Sequence, residues 1–157
     1  MRTIKIEKYK PGQEEMISKL IKRVYDEYIS MDYCDEGNKF FNDWIQPAKI
    51  AERQIIQTNI WIAFKDSILV GMIEIRDNKF ISLLFVDKIY QGQGIAKGLF
   101  NESLKEIIKR EPDLKKFYVH ASPYSIPIYK KMGFVETDIM CEENGIKYLP
   151  MEITIKK

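Results

Sequence analysis

Three glycines cluster between a predicted buried strand and a long predicted helix. Gly92, Gly94 and Gly98 all lie within seven residues. Glycine lets the backbone approach a ligand closely, and the first N–H groups of a helix have no partner inside the helix. Because the helix dipole adds positive potential at the same end, this pattern is typical of a phosphate-binding turn. An ordinary strand-to-helix turn that uses glycines is the alternative interpretation.

Two common phosphate-loop patterns do not fit this turn. The Walker pattern G-x-x-x-x-G-K-[ST] fails, because no Lys-Ser or Lys-Thr follows the glycines. The dinucleotide pattern G-x-G-x-x-G also fails, because Lys97 stands where the third glycine belongs and no βαβ unit begins there. The sequence therefore predicts neither a P-loop nucleotide site nor a dinucleotide site.

A third pattern does fit. The hexapeptide Gln91-Gly92-Gln93-Gly94-Ile95-Ala96 matches Q/R-x-x-G-x-G/A, which resembles the acyl-CoA pyrophosphate loop of the GNAT superfamily of N-acyltransferases. The strand Leu83–Asp87 lies at that family's distance upstream. Downstream, Ala121–Phe134 resembles the second motif of the family, with its aromatic-x-x-x-Gly-Phe ending. The motifs cover roughly residues 60–137, and the first 50 residues resemble the family only in pattern.

The resemblance implies how acetyl-CoA binds as co-substrate, with no metal. The backbone of Leu84 and Val86 pairs with the pantetheine arm like an added strand, and the Leu84 N–H faces the thioester oxygen. A donor in that place stabilises the oxyanion that develops during acyl transfer. The residues assigned to acetyl-CoA binding are Leu84, Phe85, Val86, Gln91, Gly92, Gln93, Gly94, Ile95, Ala96, Ser122 and Tyr129.

The resemblance also assigns the proton donor but leaves the general base open. Tyr129 matches the tyrosine that protonates the departing CoA thiolate, a role that suits a phenol. Many family members carry a carboxylate in the first half of the strand before the loop, where this chain has Phe80–Ser82. Glu74 on the preceding strand, His120 and water are the remaining candidates for the base. We expect Glu74 to lie roughly across the turn from Ile81.

The acceptor site is expected in the segment that resembles the family least, Tyr28–Trp44. Acidic residues among aromatic side chains suit a cationic amine through charge pairing and cation–π contacts. A hydrophobic helix face beside a polar loop is the alternative interpretation. The residues concerned are Tyr28, Tyr33, Phe40, Phe41 and Trp44, with Asp32, Asp35 and Glu36.

Hydrophobic periodicity predicts the elements that must position these residues. The predicted fold class is α/β: a mixed, mostly antiparallel, splayed sheet flanked by helices on both faces, the splay being implied by the resemblance. Predicted strands are 3–9, 60–65, 68–76, 80–86, 116–121, 134–138 and 149–155. Predicted helices are an amphipathic helix over 17–30, a second helix around 40–48 that Pro47 interrupts, and helices over 94–110 and 125–132.

The length and composition of the chain limit the number of domains, the kinds of partner and the cellular location that we expect. The 157 residues are 45% hydrophobic, which predicts one domain over residues 1–157 with a sizeable core. A net charge of +2 does not suggest a nucleic-acid partner, and no apolar run is long enough for a membrane. Two cysteines and no signal-peptide pattern predict free thiols and a cytoplasmic location.

Two functions follow as hypotheses. The first is an enzyme that transfers acetyl from acetyl-CoA to a primary amine of a small molecule or peptide. The second is a non-catalytic acyl-CoA-binding sensor, which the missing strand carboxylate keeps open and Tyr129 disfavours. Edge strands near the C-terminus leave a homodimer open.

Overall fold

The computed structural model describes residues 4–56 and 59–156. Its strands form one sheet in the order β1-β2-β3-β4-β5-β8-β6, and β7 pairs with β8. Neighbouring strands are antiparallel except β4 and β5, which are parallel. The strands are β1 Ile4–Lys8, β2 Ile60–Lys65, β3 Ile68–Arg76, β4 Phe80–Val86, β5 Lys116–Ala121, β6 Val135–Glu136, β7 Cys141–Glu143 and β8 Ile146–Thr154.

Helices cover both faces of this sheet, as predicted. Their apolar positions recur at helical spacing and face two separate cores. One core lies against α4 and α5 and includes Leu99, Phe117 and Phe134, and the other lies against α1 to α3 and includes Leu20 and Tyr25. The helices are α1 Glu14–Tyr28, α2 Asp35–Trp44, α3 Pro47–Ile56, α4 Ile95–Arg110 and α5 Ile126–Lys131.

The sheet splays open between β4 and β5. Their parallel pairing is limited to Phe80 with Tyr118 and Ile81 with Val119. The next residue, Ser82, is a β-bulge: on β3, Glu74 pairs with Leu83 and Ile75 pairs with Ile81, so Ser82 is left over. A bulge bends a strand and increases its twist. The bend coincides with the point where β4 leaves β5, and the predicted splayed sheet is confirmed.

The segment around Pro47 differs from its prediction. Instead of one interrupted helix around 40–48, α2 ends at Trp44 and α3 begins with Pro47. Proline is favoured at the first position of a helix, where its missing N–H costs nothing. The proline therefore begins a helix here, and that helix extends to Ile56.

The C-terminal part contains a hairpin whose first strand is not among the predicted strands. Strands β7 and β8 are joined by Asn144 and Gly145, both with positive φ, of 54° and 78°. Asn-Gly is the strongest short hairpin signal, and it was present in the sequence. The turn packs on the start of α2, where the N–H of Cys34 donates to the Gly145 carbonyl at 3.1 Å. Both cysteines are free, as predicted.

No helix in the described ranges is both long and apolar enough to cross a membrane.

Candidate active site

A cavity of about 630 Å³ occupies the gap where β4 and β5 separate. Both strands line it, together with the turn before α4, one face of α5 and the C-terminal end of α1. It is therefore open to both faces of the sheet. A ligand lying in the gap would meet backbone groups that a closed sheet would have paired.

The free edge of β4 turns two residues toward this gap. The N–H of Asp87 donates to the Val70 carbonyl at 2.8 Å, so Asp87 bonds toward β3. Bonding direction alternates along an antiparallel strand, and therefore the N–H and C=O groups of Leu84 and Val86 point away from β3. The side-chain amide of Gln91 donates to the Val86 carbonyl at 3.0 Å from that side.

The glycine turn presents a run of unpaired donors. Gly92 and Gly94 have φ values of 78° and 81°, and Gly94 is the N-terminal cap of α4 without a side-chain cap bond. In the described part of the chain, the backbone N–H groups of residues 92–97 have no protein acceptor. A Cβ at Gly92 or Gly94 would meet nothing within 4 Å. The glycines are required by the left-handed backbone, and open space lies in front of the donors.

Tyr129 lies in α5 and lines the cavity. Tyr129 is only 4% exposed, and its ring packs edge-on against the Phe134 ring with centroids 5.4 Å apart. Within residues 4–56 and 59–156 its hydroxyl has no hydrogen-bond partner. Burial raises the pKa of Tyr129 well above its ordinary value near 10. The side chain therefore remains a protonated phenol at every physiological pH and is available as a hydrogen-bond donor.

Ser122, Tyr124 and Gln91 form the opposite rim of the gap. Tyr124 donates to the side-chain carbonyl of Gln91 at 2.7 Å and stacks on Tyr28 at 4.4 Å. Gln91 thus bridges from Val86 on β4 to Tyr124. The Ser122 and Ser125 hydroxyls are 2.9 Å apart. The sequence predicts only a backbone role for Gln91 in the loop, because the fold alone brings Val86, Gln91 and Tyr124 together.

Glu74 lies in a different environment from the one expected. It is opposite Leu83, because the bulge shifts the register, and it does not line the cavity. Its carboxylate is 3.1 and 3.2 Å from the Arg53 guanidinium and accepts a 2.7 Å bond from Gln54. Arg53 also stacks over the Trp44 ring at 4.0 Å. The geometry argues against the predicted base role and indicates a buried ion pair that fastens α3 to the sheet.

We expect Glu74→Gln to reduce stability and to leave catalysis in the folded protein nearly unchanged. Breaking one partner of a buried pair costs about 3–5 kcal/mol, and Arg53 is partly exposed, so a loss of about 2–4 kcal/mol is expected in the free energy of unfolding. Urea denaturation measures this loss. Glu152→Gln is the control: its pair with Lys116 lies at the surface and is worth about 1 kcal/mol or less. A hundredfold loss of kcat at unchanged stability would return Glu74 to the mechanism.

His120, in contrast, lines the cavity. Its ring stacks on Tyr148 at 4.2 Å and meets Phe80 edge-on at 4.9 Å. Because Val119 and its alternate neighbours point into the α4 core, His120 points to the opposite face of the sheet, where α1 packs on β3 and β4 and His120 itself stays exposed. Burial of the ring lowers the pKa of His120 below 6.5; Arg76 also lowers it and Glu143 acts in the opposite direction. The imidazole is therefore neutral at physiological pH.

The expected acceptor segment is only partly at the site. Tyr33 and Phe41 line the cavity, and Tyr28 contacts it through Tyr124. Phe40 is 53% exposed on the outer side of α2. Trp44 and the acidic residues Asp32, Asp35 and Glu36 do not line the cavity. The segment is thus divided: Tyr33 and Phe41 supply aromatic rings to the cavity, and the carboxylates lie outside the cavity.

No group of three or more His, Cys, Asp or Glu side chains in the described ranges is placed to hold a metal ion.

Comparison with known proteins identifies the family. The family described as Acetyltransferase (GNAT) domain matches residues 29–155. A curated relative, the uncharacterised N-acetyltransferase YafP of Escherichia coli K12, is 28% identical over 135 residues, which cover 85% of this chain and 83% of YafP. The family match spans well over half of the chain, and therefore the chain belongs to the acetyltransferase (GNAT) family.

Solved structures share the fold at low sequence identity. A GCN5-related N-acetyltransferase from Rhodopseudomonas palustris has a TM-score of 0.82 at 21% identity, over 99% of this chain and 98% of its own. The PaiA N-acetyltransferase of Thermoplasma acidophilum, solved in complex with coenzyme A, has a TM-score of 0.78 at 20% identity, over 98% of this chain and 99% of its own. The protein is an acetyltransferase. The sensor hypothesis is correspondingly disfavoured.

Proposed function

We propose that this protein transfers the acetyl group of acetyl-CoA to a primary amine by direct attack. The observation that carries the proposal is two groups of backbone donors without a protein acceptor in the described ranges, one at Leu84 and Val86 on the free edge of β4 and one at residues 92–97. The first group suits a thioester carbonyl and an amide-containing arm, and the second suits a pyrophosphate. Leu84, Gly92 and Gly94 line the same cavity.

The residues present fit acetyl-CoA as the acyl donor. The N–H groups of 92–97 and the positive end of the α4 dipole favour a pyrophosphate in the open space before Gly92 and Gly94. Leu84 and Val86 offer the pattern of one donor and one acceptor that an amide-containing arm requires. The Gln91 amide already bonds the Val86 carbonyl, and it would exchange that bond for one from the bound arm. Phe85 turns its side chain to the opposite core, so only its backbone contributes.

Three groups of the chain each carry out one task in acetyl transfer: oxyanion stabilisation, proton removal from the amine and proton donation to the sulfur. The Leu84 N–H stabilises the negative charge that develops on the thioester oxygen as the amine nitrogen bonds to the carbonyl carbon. His120 accepts a proton from the attacking amine on the α1–α3 face. Tyr129 donates to the sulfur as the carbon–sulfur bond breaks. The neutral imidazole and the protonated phenol are the forms that these two roles require.

Titration of acetyl-CoA by calorimetry, followed by a screen of amine acceptors for thiol release, tests the proposed function. We expect saturable acetyl-CoA binding and an amine-dependent release of free thiol. A folded protein that binds no acetyl-CoA would contradict the proposal.

His120 predicts a specific pH dependence. A base must be deprotonated, so kcat/KM should fall as the pH drops through the lowered pKa of His120, below 6.5. With His120→Gln this acidic limb should disappear, and kcat should fall by about tenfold to a hundredfold, at or below the low end of acid–base effects, because the ring is only partly buried and water can replace it. Steady-state rates from pH 5 to 9 measure both effects. An acidic limb that persists in His120→Gln would assign the base to another group.

A further inference from the structure

The α1–α3 end of the cavity is walled by apolar and aromatic side chains. Val24, Ile29, Tyr33, Phe41 and Phe85 supply this wall, which we call the aromatic wall. Among the described lining residues there is no carboxylate. The lysines that line the cavity, Lys97 and Lys131, belong to α4 and α5 on the other face of the sheet. An acceptor that approaches from the α1–α3 face therefore meets no full charge on the wall.

The aromatic wall is held rigidly. Phe41 stacks on the buried ring of Tyr25 with centroids 4.0 Å apart and an interplanar angle of 4°, and it lies 6.1 Å from Phe85. The Tyr25 hydroxyl donates to Asn38, whose amide donates in turn to the Tyr33 carbonyl at 3.3 Å. Burial raises the pKa of Tyr33 to about 12, so its phenol stays neutral. Such a wall is preorganised for a ligand that presents an apolar surface.

Carboxylates on α1 and on the turn after β4 are already paired, and Asp32 lies outside the cavity. Glu27 is 2.5 Å from Lys88, Asp26 is 2.8 Å from Lys22, and Asp87 is 2.8 Å from Arg23. Asp32 lies beside Tyr33 and contributes to its raised pKa, but it does not line the cavity. A polycationic acceptor would bring a second ammonium group to a wall without an anion, and burying an unpaired charge is costly.

We propose that the acceptor is a small primary amine whose body is an uncharged aromatic ring. The inference rests on the proposed N-acetyltransferase function and specifies its substrate class. The ring packs against Phe41 and Tyr33 in the edge-on or offset geometry that aromatic pairs prefer. The wall also favours the neutral form of the amine, which is the form that attacks the thioester, and His120, which lines the same cavity, is the proton acceptor.

The test compares 2-phenylethylamine with 1,4-diaminobutane as acceptors in the thiol-release assay. We expect kcat/KM for 2-phenylethylamine to be higher by on the order of tenfold to a hundredfold, the discrimination that a hydrophobic pocket commonly achieves. Equal values, or a preference for the diamine, in a protein that binds acetyl-CoA would overturn the inference. Loss of acetyl-CoA binding would instead contradict the proposed function, so the two failures are distinguishable.

Two variants on neighbouring residues sharpen the test. Phe41→Leu removes the ring and keeps an apolar side chain, and we expect KM for 2-phenylethylamine to rise about tenfold while acetyl-CoA affinity stays unchanged. Phe40→Leu is the matched control, because Phe40 is exposed and does not line the cavity. The same KM in both variants would overturn the inference. Since Phe41→Leu could disturb the packing of α2, Tyr33→Asp is a second variant. It places a carboxylate on the aromatic wall and should shift the ratio of kcat/KM values toward 1,4-diaminobutane. An unchanged ratio would also contradict the proposed substrate class.

Discussion

Gly94→Glu should abolish acetyl-CoA binding. The substitution places a carboxylate in the open space before the unpaired N–H groups of residues 92–97. Like charges about 4 Å apart near a protein surface repel by about 4 kcal/mol, and each 1.4 kcal/mol is tenfold in affinity. Even after screening by salt, we expect the dissociation constant to rise by more than about a hundredfold. Isothermal calorimetry on the folded variant measures the change.

Two control variants separate charge from backbone strain. Gly94→Gln has the same size and the same left-handed backbone strain without the charge, and it should retain measurable binding. Gly12→Glu introduces the same side chain at another glycine of positive φ, 101°, with nothing within 4 Å, away from the cavity. It should bind like the wild type. Wild-type affinity in Gly94→Glu would disprove the phosphate-site assignment, and equal losses in Glu and Gln would remove the electrostatic explanation.

Tyr129→Phe should reduce turnover far more than binding. The change removes the hydroxyl and keeps the ring that packs on Phe134. A neutral hydrogen bond is worth about 0.5–1.5 kcal/mol, so acetyl-CoA affinity should stay within a few-fold of wild type. The loss of a general acid lowers kcat by about 10²–10⁴. Tyr129 is only 4% exposed, and therefore water has little access to replace its phenol as proton donor. Both quantities are measured on the same two proteins.

Tyr118→Phe is the matched control for this experiment. Tyr118 lies on β5 but does not line the cavity, so removal of its hydroxyl should leave kcat unchanged. An unchanged kcat in Tyr129→Phe, with chemistry rate-limiting, would remove Tyr129 from the mechanism. A loss of acetyl-CoA binding alone would make Tyr129 a structural residue.

Two ion pairs connect α1, which carries part of the aromatic wall, to the segment that follows β4. Arg23 pairs with Asp87 and Glu27 pairs with Lys88. Asp87 also accepts the Ile89 N–H at 3.3 Å, which fixes the turn leading to Gln91. These two ion pairs thus link the helix on the acceptor side of the cavity to the turn on the acyl-donor side. Exposed pairs of this kind contribute little to the free energy of unfolding.

Local features of the chain were predictable from the sequence. The glycine turn, the start of α4 and the position of Tyr129 depend on backbone conformations and spacings within a few residues, and the structure has the turn and both helices where the patterns indicate. Strands β2 to β4 were predicted with their observed bounds for the same reason, since alternation and turn residues act over short distances. The Asn144-Gly145 pair indicates its hairpin just as locally, although the predicted strands did not include β7.

The surroundings of Glu74 and His120 and the positions of the carboxylates of Asp32, Asp35 and Glu36 are set only by tertiary structure. Glu74 is expected from the sequence to be a candidate base, yet Arg53 and Gln54 from a helix earlier in the chain bind its carboxylate. The bulge at Ser82 shifts the register against β3 at the point where β4 leaves β5, and with that register Leu84 and Val86 face the gap. The packing of α2 separates Phe41 from the carboxylates beside it in sequence. Each of these arrangements depends on contacts between segments that are distant in the sequence. The burial of two separate cores determines those contacts, and no short sequence pattern contains them.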